Sequence, residues 1–175
     1  SAGTLRIGDY PLTRDTVPQI RRSVGTIFQD PDDQLFMPTV GEDVAFGPAN
    51  MGLPREEIEA RVMKALESVG AAHLRERPPY KLSGGEKRAA AIATVLAMSP
   101  DILVLDEPTA SLDPQARRRL IGLLKTFTHT KIIATHDLDM VMDLCARTLI
   151  LHQGRVLAGL HRDRGGRLQS CGRRG

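Results

Sequence analysis

The stretch that most constrains the chain is Ile102-Leu-Val-Leu105 running directly into Asp106-Glu107-Pro108. Four consecutive apolar residues without polar alternation suit a strand buried on both faces of a parallel sheet. Open α/β sheets place their ligands beyond the carboxyl ends of such strands, which is where these two carboxylates fall. Adjacent side chains at a strand end point in different directions, so the two acids can divide labour. Asp106 suits Mg²⁺, which takes hard oxygens and keeps much of its water. Glu107 suits a base that orients and deprotonates a water for in-line attack on a phosphate. The same pair also reads as a strand ending in two solvated acids.

From Asp101 onward the pattern alternates strand and helix. A helix over Arg117–Thr126 precedes a buried strand Lys131–Thr135, a helix Leu138–Cys145 and a last strand Thr148–Leu151 before Gly154. That order argues for α/β with a parallel sheet. Upstream, Gly3–Asp9 alternates as a short strand, Pro11 and Pro18 break the chain, and Ser23–Phe28 is a second strand that stops in the turn formers Gln29–Gln34. Pro54-Arg-Glu-Glu57 opens a helix whose apolar stripe is Ile58, Val62, Leu66 and Val69, with Gly70 as its stop.

Leu82-Ser-Gly-Gly-Glu86 is a second marked stretch. Ser83 with Glu86 three residues on is a capping box, so a helix over 84–98 starts here. Two glycines after the cap leave its N–H groups bare, which suits an anionic group, with the Ser83 hydroxyl offered to the same oxygens. An ordinary helix start with incidental glycines is the plainer reading. His136, directly after the strand 131–135, could hydrogen-bond a phosphate or an attacking water, or be structural. Gln29 could coordinate Mg²⁺ through its carbonyl or be a turn residue. Asp113, ahead of Pro114, could face a neighbouring chain or cap the helix that follows.

Composition excludes several classes. No apolar run approaches the ~18 residues of a membrane span. The two cysteines, Cys145 and Cys171, are far apart and make neither a disulfide scaffold nor a clustered metal site. With no Trp, two Tyr and four Phe, stacking on single-stranded nucleic acid has little to work with. The net charge of +3 is unevenly placed: residues 155–175 hold six Arg and one acid, while the rest of the chain is slightly acidic. A basic body that tracks phosphate backbones is therefore not supported, and no nucleic acid partner is expected.

Taken in order, Gln29, Leu82–Glu86, Ile102–Pro108, Ser111–Asp113 and His136 resemble the ATP-binding subunit of an ABC transporter. The resemblance runs from about Gly3 to Gly159. It implies a P-loop NTPase-like, RecA-like parallel sheet core with an inserted helical subdomain. It also implies ATP and Mg²⁺ as cofactors. By the family pattern Gln29 is the Q-loop glutamine, a contact to metal and water, and Ser83, Gly84, Gly85 and Glu86 form the nucleotide-binding signature. Asp106 is the Walker B metal ligand, Glu107 the catalytic base, Asp113 the D-loop nucleotide contact and His136 the switch histidine. Such subunits work as homo- or heterodimers, the signature helix of one protomer meeting the γ-phosphate of ATP held by the other. The stretches Phe28–Phe36 and Thr39–Pro48 resemble the ATPases of cobalt/nickel and vitamin importers of the energy-coupling-factor type. That implies a transmembrane coupling subunit docked near residues 34–48, at the cytoplasmic face of the membrane, with Leu35-Phe36-Met37 as either a docking groove or plain helical-layer packing.

The expected division is 1–160 as an ABC ATPase domain and 161–175 as a basic, disordered tail. Within the domain, 1–34 holds strands and the Q-loop, 35–98 the helical subdomain, and 99–160 the Walker B to switch-histidine core. A Gly-x-x-x-x-Gly-Lys-Ser/Thr loop is absent from the 175 residues, and none of the sixteen glycines is followed by lysine. The chain therefore reads as a fragment with the N-terminal part of the core missing, expected to bind ATP poorly and to hydrolyse none measurably. Two other readings stand beside the transport ATPase. One is a non-catalytic module lending its signature helix to an ATP-loaded partner. The other is a DNA-repair-type ABC ATPase, opposed by the 54 positions from Gln29 to Ser83, which leave no room for a long coiled coil.

Overall fold

The computed structural model describes residues 3–162 and 168–170. They fall into two compact units, divided after Thr135, and each is described by itself.

In the first unit, β1 (Arg6–Ile7) and β2 (Tyr10–Pro11) form a two-residue antiparallel hairpin turned at Gly8, whose φ is +56°. The strand expected over Gly3–Asp9 is thus shorter and folds back on itself. Pro18 does not break the chain. It occupies the first turn of helix α1 (Val17–Ser23), where a missing N–H costs nothing.

Strand β3 (Val24–Ile27) follows and pairs in parallel with β4 (Ile102–Asp106), which pairs in parallel with β5 (Thr130–Ala134). The core is therefore a parallel sheet flanked by helices, as the apolar run at 102–105 predicts. Burial is one-sided, however. The face carrying Gly25, Ile27, Leu103 and Leu105 is sealed, whereas on the opposite face Ile102 and Val104 are half-buried and Ile132 is 56% exposed. The expected burial of the 131–135 strand is corrected accordingly, because α4 covers only the Gly25 side.

Between β3 and β4 lies a helical layer. A 3-10 turn, Pro31–Asp33, leads to α2 (Val40–Asn50), α3 (Arg55–Ser68) and α4 (Gly84–Leu96). α2 starts at a full capping box, Thr39 with Glu42. The predicted stripe of α3 faces the core: Val62 and Leu66 are buried, with Ala65, and Ile58 and Val69 pack partly buried against the same cluster. Gly70 ends that helix at φ +70°, which only glycine adopts freely. The three helices share one core built from Val40, Val44, Val62, Leu66, Leu74, Ala90 and Ala93. α5 (Pro114–Thr126) follows β4 and buries Leu120, Ile121 and Leu124.

In the second unit, α6 (Leu138–Leu144) precedes an antiparallel sheet in the order β6 (Arg147–His152), β7 (Arg155–Arg162), β8 (Leu168–Ser170). The strand expected to be last is the first of three, and it is not parallel. Gln153-Gly154, both at positive φ, makes the tight turn that joins β6 to β7. His161 and Arg162, placed in the expected basic tail, are strand, and so is Leu168–Ser170. Residues 163–167 and 171–175, Cys171 among them, lie outside the described residues. Among the described residues no helix is long and apolar enough to cross a membrane.

Candidate functional site

The N-terminus of α4 carries the Ser83–Glu86 box. The Ser83 N–H and hydroxyl both donate to Glu86 Oε2 at 2.8 Å, and the Glu86 N–H donates back to Ser83 Oγ at 3.4 Å. The Ser83 hydroxyl is thus committed to Glu86 and not simply offered to a ligand. The Ser83 N–H, then its hydroxyl, hold the Glu86 carboxyl below its usual range. The two glycines differ in task. A Cβ on Gly84 would meet nothing within 4 Å, whereas one on Gly85 would sit 3.2 Å from Ala116 Cβ. Gly84 leaves the helix end open, and Gly85 lets α4 approach α5. Replacing Ser83 by Ala should cost about 0.5–2 kcal/mol of stability, with Ser83→Thr close to wild type. The Glu86 share is present above its unfolded pKa and fades as pH falls through the depressed folded value. It is small, since the side chain is 32% exposed. Urea denaturation at neutral and acid pH checks both statements.

Asp113 caps α5. Its Oδ1 accepts from the N–H groups of Ala116 at 2.9 Å and Gln115 at 2.8 Å, which hold the carboxyl below its ordinary value. The capping alternative for this residue is what the geometry displays. Asp113 and residues 83–86 line one cavity of about 740 Å³. Gln29 and Asp106, both exposed, line another of about 630 Å³ with Gly84 and Lys87. α4 thus borders both spaces at its N-terminal turn.

Glu107 follows β4 at φ +41°, a left-handed conformation that a non-glycine residue adopts at a cost of order 1–3 kcal/mol. Its N–H donates to Ala134 O at 2.8 Å, and Thr135 Oγ1 donates to its Oε2 at 3.1 Å. At that φ Glu107 has left the extended backbone of β4, which ends at Asp106. Glu107 lines neither cavity. His136 opens the second unit; it is exposed and directly precedes Asp137, whose Oδ1 accepts from the Met140 N–H at 3.0 Å to cap α6.

Sequence reasoning missed what holds the loop after β3. Arg88, only 3% exposed, donates to the carbonyl oxygens of Phe28 and Gln29, each at 2.6 Å. Gln34 Nε2 donates to Ala91 O and Thr94 Oγ1 at 2.8 Å each, and its Oε1 accepts from the Phe28 N–H at 3.3 Å. Lys87 Nζ pairs with Asp32 at 2.6 Å. Asp43, 3% exposed, accepts at Oδ1 from the N–H groups of Phe36 and Met37 at 2.9 and 3.0 Å. Contacts between side chains and a loop backbone leave no periodic mark in the sequence.

Leu35-Phe36-Met37 divides. Leu35 joins the helical core, while Phe36 is 62% exposed and stacks edge-on against Phe46 with centroids 4.9 Å apart. The two aromatics line an open groove of about 540 Å³ with Phe28, Met51 and Met98.

As for a metal, Asp106 and Gln29 supply one carboxylate and one carbonyl oxygen to the same space, a hard-oxygen pair that fits a Mg²⁺ completed by water and phosphate. Among the described residues no cluster of three or more acidic, His or Cys ligands exists, so these residues fit no fully protein-bound metal.

The family model for ABC transporters matches residues 1–110. A putative ABC transporter ATP-binding protein of Geobacter sulfurreducens is 69% identical over 89% of the chain and 63% of its own length. The energy-coupling factor transporter ATP-binding protein EcfA1 of Methanospirillum hungatei is 45% identical over 90% of the chain and 58% of its own. Among solved structures, CbiO1 of Clostridium perfringens, part of the ABC transporter complex CbiONQ, superposes with a TM-score of 0.78. It is 45% identical, over 84% of this chain and 60% of that one. The ATP-binding cassette MJ0796, in a dimeric post-hydrolysis state with ADP and phosphate, gives the same TM-score at 27% identity, over 92% and 74%. The chain spans about 60% of the length of the curated relatives it matches. On sequence and on structure alike, the chain belongs to the ABC transporter ATP-binding family.

Proposed function

We propose that the chain is the ATP-binding part of a subunit that powers import of a metal ion (cobalt or nickel) or a vitamin across a membrane, from its cytoplasmic face. The observation that carries this reading is the convergence of Gln29, Asp106 and the signature turn at Gly84 on one open space at the carboxyl end of the parallel sheet. Bound there, ATP supplies the phosphoanhydride to be cleaved and Mg²⁺ neutralises charge on its phosphates. Asp106 and the Gln29 carbonyl would hold the metal. By the family pattern Glu107 would take a proton from the attacking water and His136 would hydrogen-bond the phosphate. Residues 83–86 and Asp113 meet the nucleotide of a second ATPase subunit, homologous or identical, and the Phe36–Phe46 groove receives a membrane-embedded partner.

The 175 residues hold no Gly-x-x-x-x-Gly-Lys sequence. In a second reading the chain lends only its signature helix to an ATP-loaded partner. One experiment separates the two. The chain alone should bind ATP more weakly than micromolar by calorimetry and show no turnover. It is then mixed with an intact ABC ATPase, in one arm with that partner's signature serine replaced and in the other with that partner's catalytic glutamate replaced, and phosphate release is followed. Turnover in the second arm that Glu107→Gln lowers by about 10²–10⁴-fold supports the catalytic reading. Turnover in the first arm alone, abolished by Ser83→Arg and indifferent to Glu107→Gln, supports the module. Micromolar ATP affinity of the chain alone overturns the expectation of a missing phosphate grip.

A further inference from the structure

Arg88 is an anomaly of the helical layer. It is 3% exposed, its Nε has no hydrogen-bond partner, and among the described residues it has no salt bridge. A guanidinium taken out of water without a carboxylate is costly, and an apolar side chain of similar length would fill the same volume without that cost. Burial pulls its pKa down, partly offset by Asp30. What the charge meets instead is backbone. Its two terminal nitrogens reach the carbonyls of Phe28 and Gln29, one each, both at 2.6 Å. The planar guanidinium fork gives each of the two neighbouring carbonyls its own terminal nitrogen in a fixed geometry.

We propose that Arg88 is a positioning residue that ties the loop carrying Gln29 to the signature helix α4, so that Gln29 and the helix N-terminus move as one body. The inference rests on the ATPase reading of Gln29 and residues 83–86. The loop is exposed at Phe28, Gln29 and Asp30 and would otherwise be free to sample many conformations. It is strapped to α4 at three heights. Lys87 holds Asp32, Arg88 holds the carbonyls of residues 28 and 29, and Gln34 holds Ala91 and Thr94 one turn further along. Of these only the Arg88 contact falls on Gln29 itself. The Lys87–Asp32 pair is solvent-exposed on its acidic side and adds little restraint. A shift of α4 therefore carries the metal- and water-facing side chain with it, and a change sensed at Gln29 reaches the signature turn without crossing the sheet.

The test is ¹⁵N relaxation and amide exchange on the full 175-residue chain without nucleotide, for wild type, Arg88→Met, Arg88→Lys and Gln34→Leu. In the wild type the Gln29 and Asp30 amides should show order parameters near the rigid value of about 0.85. Arg88→Met should drop them below about 0.6 and speed exchange over 28–32 at least tenfold, with α4 amides unchanged. Arg88→Lys, which replaces the fork by one donor head, should recover an intermediate value. Gln34→Leu should loosen residues near 34 while leaving Gln29 rigid. Rigid Gln29 amides in Arg88→Met overturn the proposal. So does equal loosening of α2, α3 and α4, which would make Arg88 a packing residue only. These readouts need no ATP turnover, so the clamp can hold while the ATPase reading fails, and the reverse.

Discussion

Replacing Gly25 by Val should leave the chain unfolded, and Gly25→Ala should destabilise it by about 1–3 kcal/mol. Gly25 is buried in the middle of β3, paired with Leu103 of β4. A Cβ built there would fall far inside van der Waals contact with Val95 Cγ1 and 3.1 Å from Pro100 Cγ. Neither neighbour can step aside. Val95 is β-branched and 2% exposed, and Pro100 has a closed ring. Glycine in a strand is normally a liability, and alanine would otherwise gain roughly 0.5–1 kcal/mol from reduced chain freedom. A net loss therefore measures how closely α4 lies on the sheet. Adding Val95→Ala to Gly25→Ala should recover part of that loss, since two residues that compete for one volume are coupled, typically by 0.5–3 kcal/mol. Urea denaturation of the two single variants and the double variant gives the coupling. A Gly25→Ala protein as stable as wild type, or strictly additive losses, would show that α4 has room to move there.

That contact also explains what the sequence could and could not disclose. The apolar run at 102–105 announced the central parallel strand, and Ser83–Glu86 announced α4, because both are local: one is composition, the other a three-residue spacing. The capping box Thr39–Glu42 has the same spacing, yet α2 is not evident beforehand, since Gly41, Gly47 and Pro48 argue against a helix. Tertiary packing overrides that propensity. Gly41 and Gly47 are places where Arg75 and Met98 come too close for a Cβ. Pro18 misleads in the opposite way, because a proline at a helix start and one that ends a segment look alike in sequence. Strand β8 was hidden by the Arg- and Gly-rich composition of residues 161–175, and β7 shows only through its pairing with β6 across the Gln153-Gly154 turn.

The candidate residues could be named from the sequence; the scaffolding around them could not. Asp106, Glu107 and Ser83 stand where strand and helix ends put them. The positive φ that separates Glu107 from Asp106, and the straps from Arg88, Gln34 and Lys87, appear only in three dimensions. A motif marks which groups touch a ligand. The groups that hold them still are chosen by distance to a backbone, and their spacing of 55 to 60 residues along the chain is set by the helical layer in between.

Asp43→Asn should stabilise the chain at neutral pH and lose that advantage in acid, while Asp43→Ala should destabilise it throughout. The carboxyl is 3% exposed, and its Oδ2 has no partner. Burial raises its pKa above the ordinary 3.8, against the lowering effect of the Phe36 and Met37 N–H groups and with a further push from Glu42. A carboxyl whose folded pKa is raised is penalised when charged. The penalty is absent below the unfolded value, grows as pH rises through the interval between the unfolded and folded values, and is complete above it. Asparagine keeps an oxygen acceptor for the two N–H groups without the charge, so the Asn-minus-Asp difference should widen on titration from about pH 3.5 toward neutrality. Alanine removes the acceptor and strands two backbone donors, which costs at least about 1–3 kcal/mol at any pH. Because all three proteins share every other titrating group, the difference curves isolate residue 43. An Asn variant no more stable than wild type at pH 7, or an advantage unchanged between pH 4 and 7, would mean that Oδ2 is solvated or paired in solution. The same result would place the Phe36–Phe46 groove, which Asp43 lines, in contact with water at its base.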